Sequence, residues 1–278
     1  MLLVALAQAS GLWPVAAQDA ILLRLNPAAG QVIRMRADMD AWLRTPLFAG
    51  ADTTQPTAQV TSFITRIITS PDAQQIELTD HTDSSTFDFP AMRGMMPAAG
   101  SGDLLRGMRT MSRLDPRARS VATMVVEAPN LPTGMPALIR GVQGLTVAIA
   151  RLTTVSLPEQ PVRPGDTWTD SLTFDLANVP GLTGVGVVGA GTGQATMRFE
   201  RIEHRFGARI AVITAVATAN AGAGDAAQAA TLNISATSTV DLDLDAGRFV
   251  RSETLLAGPL VTRLGVIPVR VRATLRTL

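Results

Sequence analysis

The sequence predicts a mainly β protein of the β-rich α+β type, built as a large curved antiparallel sheet or half-barrel with one or two covering helices. Apolar and polar residues alternate over residues 32–44 and again over residues 265–277. Successive side chains of a strand point to opposite faces, so each segment predicts a strand roughly 40 Å long with one buried face. Strands of this kind need a cover over their apolar face.

Other strands are predicted where a β-type run lies between turn residues, as at 26–30 and 164–166. In chain order these runs are 20–25, 58–69, 73–79 with 86–89, 106–114, 118–126, 167–176, 194–202, 209–218, 231–244 and 248–256. The run 209–218 is apolar on both sides, which indicates a central strand. Pro268 indicates that the last strand is an edge strand or has an edge-like start.

One helix is predicted between the two series of strands, within residues 133–152. Its apolar residues recur at steps of four and three, which is helical spacing, at Leu138, Val142, Leu145, Ile149 and Leu152. Pro136 is well placed for the first turn of this helix. We expect the helix to pack on the sheet.

The N-terminus predicts an export signal over residues 1–17. An apolar run is followed by the small residues Val15, Ala16 and Ala17, a pattern that signal peptidase cleaves. No basic residue precedes the run, which leaves the start codon and the cleavage site open. The mature chain is expected in the periplasm or cell envelope, soluble after signal cleavage. It is not expected to be an integral membrane protein, because no other apolar run reaches the roughly 20 residues of a spanning helix.

Residues 18–278 are predicted to form one β-rich region whose halves, 18–129 and 157–278, resemble each other. Aligning residues 110–129 with 240–259 matches a strand, an Asp-led turn, a second strand and a closing proline. Convergent turn chemistry explains this match as well as duplication does. Whether the halves are separate domains is left open.

Composition excludes several classes of function. All 24 basic residues are arginine, and the chain has no lysine, tyrosine or cysteine. Schiff-base chemistry, disulfides and a lipidated cysteine are therefore excluded. A net charge of +1 with 4% aromatic residues argues against nucleic acid as a partner. We expect a protein that is not an enzyme and that carries no cofactor.

Two motifs resemble ligand sites and are interpreted as ordinary structure. Residues 184–189 fit the dinucleotide pattern G-x-G-x-x-G, but no βαβ unit surrounds them. Asp241, Asp243 and Asp245 resemble a calcium loop whose glycine comes one position late. A hairpin explains the aspartates better, and no metal site is expected.

The two histidines are the only candidates for acid–base catalysis by imidazole. His81 lies beside Asp80, Asp83 and Ser84, the components of a hydrolytic triad, and His204 precedes a hairpin tip. No nucleophile elbow accompanies them. We interpret His81 as a solvated loop residue and His204 as a turn residue, with a hydrolase as an alternative.

Methionines cluster in one region, at Met92, Met95, Met96, Met108 and Met111. Clustered thioethers fill irregular cores, form pliable lids over cavities or bind Cu(I). We rank core filling first, a lid second and copper last.

A second cluster is basic, with Arg263, Arg270, Arg272 and Arg276 on the last strands. The default interpretation is a solvated face that protects a sheet edge. Contact with anionic head groups is the other interpretation.

A family resemblance rests on LPEQPVRPGDTWTDSLTF at residues 157–174, with support from LRLNPAAGQVIRMRADM and DLDLDAGRFVRSET. The chain resembles an uncharacterised family of bacterial exported proteins and lipoproteins with a Pro-x-x-Gly-Asp-x-Trp hallmark. Here the hallmark residues are Pro161, Gly165, Asp166 and Trp168, with Pro164 inserted. The resemblance implies a fold and assigns no catalytic residue. By fold analogy alone, the pattern is also similar to the half-barrels of LolA-type lipoprotein carriers.

The leading hypothesis is a non-enzymatic exported envelope protein that binds a lipid or acyl chain between the sheet and a helix or lid. The residues expected to line the ligand are Met35, Met39, Met95, Met96, Met108, Leu138, Val142, Leu145 and Ile149. The first alternative is an envelope structural or protein-interaction module whose sheet closes on itself. The second is a hydrolase that uses His81 or His204. Ligand identity and oligomeric state are left open.

Overall fold

The computed structural model describes residues 19–43, 54–71, 74–92, 103, 105–127, 155–175, 190–222, 231–262 and 265–278. The described residues form one antiparallel sheet of eleven strands and one short 3₁₀ turn, Pro90–Met92. The strands are β1 Val32–Leu43, β2 Ala58–Pro71, β3 Ile76–Asp88, β4 Arg109–Leu114, β5 Ser120–Glu127, β6 Thr167–Asp175, β7 Ala190–Arg205, β8 Ala208–Gly222, β9 Thr231–Asp243, β10 Arg248–Thr262 and β11 Gly265–Thr277.

The strand order places the first and last strands side by side in the middle of the sheet. The order is β5-β4-β3-β2-β1-β11-β10-β9-β8-β7-β6. Met39 of β1 lies opposite Val60 of β2 on one side and Ala273 of β11 on the other. Consequently β5 and β6 are the outer strands among the described residues, and β11 is central.

Most of the predicted strands are confirmed, two expectations are wrong and one holds in part. Residues 80–85 were expected to interrupt a strand, but they continue β3 through a bulge opposite Phe63 and Ile64. The last strand is not an edge strand, but Pro268 lies at its start, before the described pairing with β1 begins at Val269. Residues 20–25 form an extended segment with a single bridge, Ile21 to Val162, rather than a full strand.

The sheet is strongly curved, as two neighbouring hydrogen bonds require. Leu25 N–H donates to the Pro116 carbonyl and Asn26 N–H donates to the Gly247 carbonyl, each at 2.8 Å. The Pro116 carbonyl lies in the turn after β4, and the Gly247 carbonyl lies in the turn before β10. Five strand spacings separate β4 from β10, so a flat sheet would hold these two turns about 24 Å apart, at roughly 4.8 Å per spacing. Leu25 and Asn26 are consecutive, so their Cα atoms lie about 3.8 Å apart. The two carbonyls that they bind are therefore within roughly 10 Å of each other, which requires the sheet to curve.

Two extended segments, 19–30 and 155–166, fill the concave face at one end of the sheet, which we call the closed end. Leu157 N–H donates to the Arg117 carbonyl at 2.7 Å, and the bridge to Ile21 joins the two segments. The core packed here contains Leu23, Leu25, Val155, Leu157 and Val162 with Ile33, Ile68, Ile76, Leu78, Met197, Phe199, Ile213, Val240 and Leu242. Side chains from both halves of the sheet therefore share one core.

The hallmark residues of the resemblance have structural roles at this end. Gly165 has φ +96°, which an L side chain rarely adopts, and its N–H donates to the Phe199 carbonyl at 2.6 Å. The Asp166 carboxylate accepts the N–H of Arg163 at 2.8 Å, which closes the turn. The Trp168 indole donates to the Ser156 carbonyl at 2.9 Å. These residues fasten β6 to the closed end.

The predicted covering helix, 133–152, and the predicted export signal, 1–17, lie outside the described residues. Over the described ranges, the only helical element is the 3₁₀ turn. A search of the same ranges finds no helix with the length and hydropathy to cross a bilayer.

Candidate functional site

The concave face of the sheet is the candidate site. It is formed by the apolar residues that alternate with polar residues along the strands. On β1, Ile33, Met35 and Met39 point to the concave side and are buried, whereas Arg34 between them is exposed on the convex side. Antiparallel partners share a face, so the register extends this concave surface across the sheet.

Away from the closed end, the concave face carries a second set of buried apolar side chains, which we call the distal rows. One row joins Met39, Val60 and Phe87 in register, and the next passes through Val271 and Leu256. All five are at most 6% exposed. They do not belong to the closed-end core. The concave face therefore has two apolar regions, and the described segments 19–30 and 155–166 account for the covering of one.

The predicted ligand-lining residues fall into four groups. Met39 lies in a distal row, whereas Met35 is 3% exposed within the closed-end core. Met108 is half-buried just before β4, where its carbonyl accepts the Thr82 N–H at 2.9 Å. The others lie outside the described residues, namely Met95, Met96, Leu138, Val142, Leu145 and Ile149.

An ion pair, Arg66 with Asp80, interrupts the apolar concave face. Arg66 faces Ile33 across β1 and β2, and its Nε and Nη2 atoms each donate to Asp80 at 2.7 Å. Both side chains are 23% exposed. Burial lowers the pKa of Arg66, but the charge of Asp80 and its hydrogen bonds outweigh burial and raise that pKa overall. The two side chains therefore form a neutral, hydrogen-bonded ion pair on an otherwise apolar surface.

Other polar groups on the concave face satisfy one another. The hydroxyls of Ser238 and Thr254 are 2.9 Å apart on β9 and β10, and both residues are buried. The Ser85 hydroxyl accepts the Leu105 N–H at 2.8 Å and donates to Asp103 at 3.0 Å. Because these polar groups already have hydrogen-bond partners, they do not need a polar ligand to satisfy them.

The residues proposed for a hydrolytic triad are divided between the two faces of β3. His81 is on the convex side, where its Nδ1 lies 3.2 Å from an Asp83 oxygen at about half exposure. Asp80 points to the concave side and binds Arg66. His81 therefore lies in a strand rather than a loop, which corrects the sequence-based interpretation. His204 is exposed near the end of β7, on a hairpin as predicted.

The aspartates that resemble a calcium loop build the β9–β10 hairpin. Asp241 binds Arg205 at 2.7 Å, and Asp245 binds Arg209 at 2.7 Å. Asp243 accepts the backbone N–H groups of Asp245 and Ala246, each at 2.9 Å. The described residues contain no cluster of three or more metal-ligating side chains.

A polar cleft of about 780 Å³ lies between the β4–β5 turn and β6. Both arginines that line it are already paired, since Arg117 binds Glu159 and Arg119 binds Asp115. This cleft is distinct from the apolar concave face and does not suit an acyl chain.

Sequence reasoning missed the Arg66–Asp80 pair. A signal for Arg66 was present, because it is the one charged residue among the concave positions of 58–69. A strand assignment for residues 80–85 would have aligned Asp80 with it, but that run looked like a loop.

Comparison with known proteins identifies no family. No family model matches the chain, and no curated protein matches it. Among solved structures, the chain is similar to the lipovitellin of a structure on lipid–protein interactions, with 12% identity and a TM-score of 0.47. The match covers 91% of this chain and only 25% of the lipovitellin chain.

Two similar structures are named as a lipoprotein and as an exported protein. The hypothetical lipoprotein YmcC from Escherichia coli has 12% identity and a TM-score of 0.29, with 85% of each chain covered. A putative exported protein with a YmcC-like fold from Bacteroides fragilis has 8% identity and a TM-score of 0.26, with 92% and 98% covered. At TM-scores this low, the similarities carry no functional argument.

Proposed function

We propose that this chain is a non-enzymatic exported protein of the cell envelope that binds an apolar molecule, such as a lipid or acyl chain, against the distal rows. The observation that carries the proposal is that Met39, Phe87 and Leu256 are buried yet lie outside the closed-end core. Buried apolar side chains carry no polar groups that a ligand would have to satisfy, so an acyl chain is a chemically suitable partner for this surface.

The proposed cover is the connection between β5 and β6, which contains the predicted lining residues Leu138, Val142, Leu145 and Ile149. This connection leaves β5 after Glu127, pointing away from the closed end, and the described chain resumes at Val155 inside the closed-end core. Met95 and Met96 are proposed to adapt to the ligand, because methionine fits irregular shapes.

The direct test is native mass spectrometry of protein purified from its own host, with solvent extraction of any bound molecule. We expect an adduct of lipid mass that is released by extraction. A protein without any adduct, which also fails to take up a fluorescent fatty acid, contradicts the proposal.

A matched pair of substitutions on β11 localises the binding. Ala273 points to the concave face beside Met39, and Thr274 points to the convex face beside Asp38. We expect Ala273→Phe to weaken fatty-acid binding about 15-fold, because the added ring takes space from the ligand and the loss of roughly two buried CH₂ groups costs about 1.6 kcal/mol. Fluorescence titration with a labelled fatty acid measures this loss.

Thr274→Phe is the control, since it adds an aromatic ring to the same strand on the opposite face. We expect it to bind the fatty acid with unchanged affinity. Equal losses in both variants, with unchanged thermal unfolding, place the ligand elsewhere.

A structural or protein-interaction module is the second candidate, and the closed end favours it. Leu23, Leu157 and Phe199 are fully buried there, so this part of the concave face is packed against the chain itself. A stable protein partner that co-purifies with a lipid-free chain would support this candidate.

A further inference from the structure

Three arginines on adjacent strands lie directly opposite one another on the convex face. Arg276 of β11 is the register partner of Arg36 on β1 and of Arg251 on β10. Direct partners in antiparallel strands are about 4.5–5.5 Å apart, and like charges there are destabilising. We call these three residues the arginine row.

The middle arginine is the one with no ion pair of its own, although the Asp38 carboxylate on β1 also attracts it. Arg36 pairs with Asp38 at 2.8 Å, and Arg251 pairs with Glu253 at 3.2 Å. Arg276 is exposed and forms no ion pair with any residue in the described ranges. A cation held between two other cations gains most from an external anion.

The surroundings of the arginine row are also basic. The convex side of β1, β11 and residues 251–257 of β10 carries six arginines and only three carboxylates. The arginines are Arg34, Arg36, Arg251, Arg270, Arg272 and Arg276, and the acids are Asp38, Asp40 and Glu253. By contrast, the neighbouring convex surface of β8 and β9 carries hydroxyls, at Thr214, Thr218, Ser235, Thr237 and Thr239. The positive charge is therefore concentrated in the middle of the sheet.

Aromatic and apolar side chains are interleaved with this charge. The Arg270 guanidinium lies 5.2 Å from the Trp42 ring centre, and the Arg36 guanidinium lies 5.9 Å from that of Phe63. Phe63 is 40% exposed, and Leu255 is 38% exposed. Basic residues with exposed aromatic and aliphatic side chains are the composition of surfaces that lie on anionic bilayers.

Protection of a sheet edge does not explain these arginines. Charged residues guard strands whose backbone groups are unpaired. β10 pairs with β11 over residues 265–276 and β1 pairs with it over residues 269–277, so Arg270, Arg272 and Arg276 lie where both sides of β11 are paired.

We propose that this convex arginine face docks the protein on a bilayer rich in anionic phospholipid, with guanidinium groups binding lipid phosphates. Arginine suits this role because its planar fork forms paired hydrogen bonds with phosphate oxygens. The proposal uses the face opposite the apolar site, so it stands whether or not the concave face holds a lipid.

The test is co-sedimentation of the full chain with phosphatidylcholine vesicles, with or without about 30% phosphatidylglycerol. We expect binding to the anionic vesicles alone, weakening as salt is added. Arg276→Gln is expected to weaken binding about fivefold, and Arg34→Gln together with Arg276→Gln about 25-fold, at roughly 1 kcal/mol for each arginine near the surface.

Arg198→Gln is the matched control, because Arg198 is an exposed convex arginine on β7, four strands from β11. It should bind anionic vesicles like the unmodified chain. Thermal unfolding of Arg276→Gln should stay unchanged or rise, since the like-charge contacts with Arg36 and Arg251 are both removed. Equal binding to both vesicle types, or equal losses in Arg276→Gln and Arg198→Gln, overturns the proposal. Inorganic phosphate that competes at equal charge concentration would indicate a free-anion site instead.

Discussion

Asp80→Ala is expected to destabilise the protein by about 2 to 4 kcal/mol, because it removes one partner of a partly buried ion pair. The Arg66 side chain is 23% exposed in the intact protein, and the variant would leave it without the carboxylate that receives its two hydrogen bonds. Its register partner Ile33 offers no polar replacement. The midpoint of urea unfolding, followed by circular dichroism, measures the effect.

Two further variants separate the buried ion pair from a general effect of charge. Asp83→Ala removes a carboxylate of the same strand on the convex face, where Asp83 is 47% exposed beside His81, and it should cost less than about 1 kcal/mol. Arg66→Met combined with Asp80→Leu should recover most of the lost stability, because no uncompensated charge remains. A double variant as unstable as Asp80→Ala contradicts this account of the pair.

The strands were predictable because they depend on a local pattern. Alternation over residues 32–44 and 265–277 matches β1 and β11 closely, since one buried face imposes a two-residue period on the sequence. The pattern failed at residues 80–85, where six polar residues continue β3. Their concave members are satisfied by Arg66 and by residues 103–108, which no local pattern reveals.

The arrangement of the strands was less predictable, because register and order depend on pairs far apart in the chain. The arginine row needs Arg36 of β1 to meet Arg276 of β11, a pairing between the two ends of the sequence. The alternation over residues 265–277 indicated only that Arg270, Arg272 and Arg276 share a face. The alternation over residues 32–44 placed Met35 and Met39 on the same apolar side, but the separation of Met35 into the closed-end core depends on the curvature of the sheet.

The curvature itself depends on a segment that sequence reasoning interpreted as an ordinary first strand. Residues 20–25 cross the closed end, where Leu25 and Asn26 bind the turns of two distant hairpins. Both turns follow an aspartate, Asp115 in one and Asp245 in the other, the same feature that suggested similar halves. Whether the halves derive from a duplication stays a prediction.

Leu23→Ala is expected to destabilise the protein by about 3 kcal/mol, because Leu23 is fully buried in the core that joins both halves of the sheet. The cavity left behind also weakens the hold of the 19–30 segment on the hairpin turns. Amide hydrogen exchange at Leu25 and Asn26 should therefore accelerate more than exchange at the middle of β1. Urea unfolding together with hydrogen exchange by mass spectrometry measures both effects.

The adjacent residue gives the matched control, since Leu22 is 49% exposed and Leu23 is not exposed at all. Leu22→Ala should change the free energy of unfolding by less than about 0.5 kcal/mol. If the closed end is fastened as described, Leu23→Ala loosens the turns after β4 and before β10 together, although they are distant along the sheet. Faster exchange at only one of the two turns would show that the segment does not couple the halves.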